Sequence, residues 1–100
     1  MKARQEYINI ILEHAPILKE RFDISQLTIF GSVARDEHSE GSDIDIFVDM
    51  PAVYYNYAAA SDYLEEILGC KVDLIRNRTN LRPSFRDQIN KYGVQIIPAA

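Results

Sequence analysis

Leu27-Thr28-Ile29-Phe30-Gly31-Ser32-Val33-Ala34-Arg35, followed shortly by Asp43-Ile44-Asp45-Ile46-Phe47-Val48, sets the architecture of this chain. The β-forming residues Leu27 to Phe30 stop at Gly31, which predicts a short buried strand ending in a turn. Ser32 is placed to cap a short helix through Val33, Ala34 and Arg35, and the polar stretch Asp36 to Ser42 reads as a loop. Asp43 to Val48 alternates, with Ile44, Ile46 and Val48 on one face and Asp43, Asp45 and Phe47 on the other. That pattern predicts a strand with one buried side and two carboxylates pointing the same way.

Upstream, Ile8, Ile11, Ala15 and Leu18 recur at helical spacing, so an amphipathic helix is expected through Glu20, with Pro16 as a bend or break. Downstream, Pro51 opens a segment in which Tyr57, Ala60, Leu64, Ile67 and Leu68 form one helical stripe that stops at Gly69. Lys71 to Ile75 reads as a third strand, with Val72 and Leu74 on one face and Asp73 on the other. Pro83 starts a last helix sharing Phe85, Ile89 and Tyr92 on one face and ending at Gly93, and Val94 to Ile97 is a short edge strand. The order α, β, short α, β, α, β, α predicts an α/β (α+β) fold in which helices pack against a small mixed sheet.

The chain has 100 residues, 11 basic against 15 acidic, a net charge of −4 and 47% apolar side chains. One core fits this length and a second does not, so residues 1–100 are read as a single domain. The acidic balance argues against a general nucleic-acid binder, and any anionic ligand must be held by local features. Cys70 has no partner for a disulfide within the chain, and no apolar run approaches the length of a membrane span or a signal peptide. A reducing, cytoplasmic setting without membrane contact is expected.

Three aspartates fall on predicted strands, which are poor places for Asp by propensity. An unpaired buried carboxylate costs several kcal/mol, so Asp43, Asp45 and Asp73 call for water or cations nearby. Magnesium prefers oxygen ligands, takes one or two carboxylates, and completes its shell with water and phosphate oxygens. Two carboxylates one strand repeat apart, roughly 7 Å, can splay around a pair of metal ions, with Asp73 reaching in from a neighbouring strand. Upstream, Gly31 lets backbone approach a ligand and Ser32 opens a helix whose free N–H groups suit phosphate. A phosphate-binding turn and a carboxylate cradle together describe a site for a nucleoside triphosphate with magnesium. The competing structural reading has Asp43 capping a strand end, Asp45 pairing with an Arg and Asp73 facing solvent.

Gly31-Ser32, ten residues, then Asp43-Ile44-Asp45, with Ala34-Arg35 and Ser42 inside the run, resembles the signature of the DNA polymerase β-like nucleotidyltransferases. The short length, Lys71-Val72-Asp73-Leu74-Ile75, and Leu81-Arg82-Pro83 before the last helix resemble the minimal nucleotidyltransferases (MNT), the antitoxin halves of HEPN/MNT toxin–antitoxin pairs. The resemblance implies a polymerase β palm-like fold and protein adenylylation: AMP from ATP onto a tyrosine hydroxyl of a HEPN ribonuclease toxin. It implies Gly31 and Ser32 on the nucleotide phosphates, Asp43 and Asp45 on both magnesium ions, and Asp73 on the ion that activates the hydroxyl. Asp36 departs from the pattern, since a glycine commonly follows the Arg in relatives. A toxin neutralised by contact alone and transfer to a small-molecule antibiotic are the competing functions.

Arg35 sits one turn into the phosphate-facing helix and reads either as a phosphate contact or as a surface pair with Asp36 or Glu37. Ser42 either orients Asp43 or ends the loop. His14 and His38 lack metal-like spacing and are read as helix-face or solvated residues. Tyr54 and Tyr55 can stack on adenine, dock a partner or pack beneath the loop, and Arg76, Arg78, Arg82 and Arg86 form either a solvated face or a contact for an acidic partner or phosphates.

Overall fold

The computed structural model describes residues 1–98. Its elements are α1 (Arg4–Phe22), β1 (Gln26–Phe30), α2 (Gly31–Ala34), β2 (Ile44–Asp49), α3 (Tyr54–Leu68), β3 (Val72–Arg76), α4 (Pro83–Tyr92) and β4 (Val94–Ile97). The strands form one mixed sheet in the order β3-β2-β1-β4. β1 is antiparallel to both β2 and β4, whereas β2 and β3 are parallel. The parallel pair needs a crossover, and α3 supplies it. The radius of gyration is 12.6 Å.

Alternation along the strands divides the sheet into two unlike faces. Leu27, Ile29, Ile44, Ile46, Val48 and Leu74 join Ile11, Leu18 and Phe22 of α1 and Ala60, Leu64 and Leu68 of α3 in the main core. The opposite face carries Phe30, Asp45, Phe47 and Asp73, because Phe30 pairs with Asp45 and Asp45 with Asp73 across the strands. This second face is not open throughout. The Phe85 ring of α4 packs 5.3 Å from Phe30 and 6.1 Å from Phe47, so Phe47 is buried beneath it. The strand predicted to have one buried side is therefore covered on both sides at its Phe47 end.

Three further expectations change. Helix α1 runs through Pro16 without a break. The carbonyl that Pro16 leaves without an i+4 donor belongs to Leu12, which is exposed and can be hydrated, so the cost is small there. Ser32 does not cap α2: the N-cap is Phe30 and Ser32 lies within the first turn. Tyr92, expected on the buried face of α4, is exposed, and Ile89 is the residue of that helix that is buried.

β3 is an edge strand, and an open edge invites pairing with another chain. Here α3 blunts it: the Val72 N–H donates to Glu65 Oε2 at 3.0 Å, and the Tyr57 hydroxyl donates to the Leu74 carbonyl. Among the described residues no helix is long and apolar enough to cross a membrane.

Candidate active site

At the end of β1 the chain turns at Gly31, whose φ of +70° lies in the left-handed region where a side chain is strained. The turn is also crowded. A Cβ at Gly31 would overlap Asp45 Oδ2 and lie 2.9 Å from Asp45 Cγ. The cross-strand pairing of Phe30 with Asp45 causes this, since it sets the carboxylate beside the next residue of β1.

Asp73 approaches Asp45 from the other side, as its register partner on β3. The Asp45 carboxyl is held above the usual carboxylate range first by burial, then by the charges of Asp73 and Asp43 and a hydrogen bond shared with Asp73. The Arg35 guanidinium acts in the opposite sense, favouring the ionised form of Asp45. Asp45 is thus a half-buried carboxylate wedged between a glycine backbone and a second carboxylate, with a third nearby.

Asp43 stands apart from that pair. It precedes β2 rather than lying in its ladder, is exposed, and lines a cavity of about 530 Å³ with Met1, Lys2, Tyr7 and Cys70. Among the described residues no three Asp, Glu, His or Cys side chains form a ready-made metal cage. Such a cage is what calcium or structural zinc requires. Magnesium is held by one or two carboxylates plus waters and substrate oxygens, so a tight pair with a third carboxylate at its margin fits it. The unrelieved repulsion at Asp45 is the demand that a hard cation meets.

Arg35 forms the surface pair with Glu37 at 3.2 Å, and its charge also favours the ionised form of Asp45. Ser32 is half-buried in α2 beside Gly31, and the Glu37 N–H donates to its carbonyl at 2.8 Å. Ser42 closes the loop: its Oγ accepts from the Ser39 N–H at 3.1 Å, and its own N–H donates to the Ser39 carbonyl at 3.0 Å. Asp36 has a φ of +59°, a left-handed conformation that glycine adopts without strain.

Sequence reasoning missed the residues that hold the loop before Asp43. Arg4 Nη1 donates to the Ala34 carbonyl at 2.8 Å, His38 Nε2 lies 2.9 Å from the Lys2 carbonyl, and the Met1 amino group pairs with Glu40. His38 is not the solvated residue expected: its ring meets Tyr7 edge-on at 6.2 Å. These contacts join residues far apart in the chain, and no local pattern announces them.

Residues 11–96 match the profile of the nucleotidyltransferase domain family. The chain is 38% identical over 93 residues to a protein adenylyltransferase of Methanocaldococcus jannaschii, covering 91% of this chain and 95% of the relative. It is 36% identical over 77 residues to the protein adenylyltransferase MntA of Thermococcus cleftensis, covering 75% and 78%. A solved minimal nucleotidyltransferase superposes with a TM-score of 0.76 at 28% identity, covering 93% and 95%. The same fold occurs in the complex of a tri-AMPylated Shewanella oneidensis HEPN toxin with its MNT antitoxin, at a TM-score of 0.64 and 21% identity, covering 93% of this chain and 71% of that one. With the glycine turn and the carboxylates on adjoining strands, these matches establish that the chain belongs to the nucleotidyltransferase domain family, in the branch whose named members are protein adenylyltransferases.

Proposed function

We propose that this chain is a magnesium-dependent adenylyltransferase that acts as an antitoxin, moving AMP from ATP to a tyrosine hydroxyl of a HEPN ribonuclease toxin in the cytoplasm. Residues 1–100 act in this reading as one minimal nucleotidyltransferase unit. The observation that carries it is the position of Asp45, wedged between Gly31 and Asp73 with its charged form disfavoured by both burial and like charge. The names of the M. jannaschii and T. cleftensis relatives support adenylyl transfer to protein, and the fold shared with the MNT antitoxin supports a HEPN partner.

Gly31 leaves room for the Asp45 carboxylate beside the turn, and Ser32 and Arg35 offer a hydroxyl and a guanidinium to the triphosphate. Asp43, Asp45 and Asp73 would hold magnesium, Asp45 and Asp73 as the tight pair and Asp43 from its margin. When bound, magnesium supplies neutralisation at the entering and leaving oxygens of the displacement. Asp73, on the outer strand, orients the acceptor hydroxyl and takes its proton. The hydroxyl oxygen bonds to the α-phosphorus while the bond from that phosphorus to the bridging oxygen breaks, and pyrophosphate leaves.

The test incubates the chain with its cognate HEPN toxin, ATP and magnesium and reads AMP on toxin tyrosines by mass spectrometry. Transfer by the wild type and none by Asp43→Ala with Asp45→Ala is the expected result. Toxin inhibition with no added mass would overturn catalysis in favour of neutralisation by contact.

A further inference from the structure

Four arginines close to the catalytic face have no carboxylate partner. Among the described residues the ion pairs are Met1–Glu40 and Arg35–Glu37, and neither involves Arg76, Arg78, Arg82 or Arg86. In a chain of net charge −4 this concentration within residues 76–86 is local, and it is not spent on internal pairing.

The arginines line a continuous groove. Cavities of about 460, 440 and 330 Å³ meet at Arg78, which borders all three. Arg82 borders the one that also contains Ile75 and Phe85, while Tyr54, 82% exposed, stands at the far end. The middle cavity contains Asn77, whose Oδ1 is buried without a hydrogen-bond partner, an acceptor waiting for a donor. Ile75 lies two residues beyond Asp73 on the same strand, so the groove begins about 7 Å from the carboxylates.

The strand order decides which substrate this groove can serve. Gly31 and Ser32 lie on the β1 side of Asp45, whereas Asp73, Arg76 and Arg78 lie on or follow β3; Arg82, the N-cap of α4, and Arg86 within it come from the helix that packs over Phe30 and Phe47 and meets the end of β3 at Ile75. With the triphosphate at Gly31, the acceptor enters across β3. Because β3's edge is blunted by Glu65 and Tyr57, side chains rather than strand addition must recognise it. Exposed tyrosine and arginine are the residue types that anchor protein interfaces.

Resting on the adenylyltransferase reading above, we propose that the groove from Tyr54 through Arg78 to Arg82 docks an acidic segment of the acceptor protein and delivers its hydroxyl to Asp73. The charge also solves an approach problem, since an acidic segment meets repulsion at the carboxylates and attraction from Arg76 and Arg78, three and five residues further along the chain from Asp73.

The test is the charge reversal Arg78→Glu with Arg82→Glu, compared with the lysine pair at the same positions. Both residues are exposed and their side chains make no hydrogen bond or ion pair among the described residues, so the fold is expected to survive. The measurements are KM and kcat for the cognate HEPN toxin, and MgATP affinity by calorimetry. Reversal should raise the toxin KM about tenfold or more with kcat and MgATP affinity little changed, the lysine pair should retain most of the affinity, and the wild-type KM should rise with salt. An unchanged toxin KM overturns the proposal, as does weakened MgATP binding with toxin affinity intact, which would give the arginines to the nucleotide. If the wild type transfers no AMP yet the reversal still weakens toxin binding, the docking surface stands and the catalytic reading falls.

Discussion

Gly31 and Asp45 are in van der Waals contact across β1 and β2, with the glycine in a left-handed conformation and the carboxylate where a Cβ would project. Each therefore limits the other. Gly31→Ala should move Asp45 as well as strain the turn, costing about 1–2 kcal/mol of stability from the backbone alone. Displacing the carboxylate proposed to hold magnesium by a fraction of an ångström should also reduce adenylyl transfer by at least roughly a hundredfold. Thermal melting and transfer rates measured on one preparation check both effects.

Asp45→Asn should stabilise the metal-free protein. Burial and the neighbouring Asp73 raise the Asp45 pKa, so folding carries a penalty above that raised pKa which disappears as pH falls through it. The asparagine variant should melt higher than wild type at neutral pH by a few tenths of a kcal/mol, the effect being reduced by water around a half-exposed group. The difference should close on acidification. Magnesium should narrow it as well, by stabilising the wild type and not the variant.

Arg35 should separate stability from activity. Its pairing with Glu37 is solvent-exposed, so Arg35→Ala should alter stability by less than about 0.5 kcal/mol. Loss of its guanidinium beside the site should weaken MgATP binding about tenfold, measured by calorimetry. A variant that binds MgATP as wild type would return Arg35 to a surface role.

Asp36 occupies a left-handed position at φ +59°. Asp36→Gly should stabilise the chain by up to about 1 kcal/mol, whereas the β-branched Asp36→Val should cost about 1–2 kcal/mol. Chemical denaturation of the two variants provides the comparison.

The strands and long helices were legible because each carries its own period. Ile44, Ile46 and Val48 mark a face of β2 without reference to anything else, and Gly69 and Pro83 mark helix ends by their backbone chemistry. Elements whose surroundings override local preference were less so. Pro16 sits within a continuous helix because its exposed side tolerates an unpaired carbonyl, and Phe47 is buried on the polar face because α4 folds over it. At the site, strand alternation placed Asp45 and Asp73 on one face, but the displacement of Asp43 towards Cys70 follows from where β2 begins, which composition does not reveal. Cys70 itself is ordinary packing, its thiol pKa pushed up first by burial. The loop anchors Arg4 and His38 depend on contacts across 30 and 36 residues.

In the proposed reaction a divalent ion and a nucleotide share the space bounded by Gly31, Asp45 and Asp73. The most direct measurement is paramagnetic broadening of backbone amide signals on adding manganese together with a non-hydrolysable ATP analogue. Broadening centred on Gly31, Asp45 and Asp73, and abolished by Asp45→Asn, is the predicted result. Broadening centred elsewhere, or unchanged in that variant, would contradict the assignment.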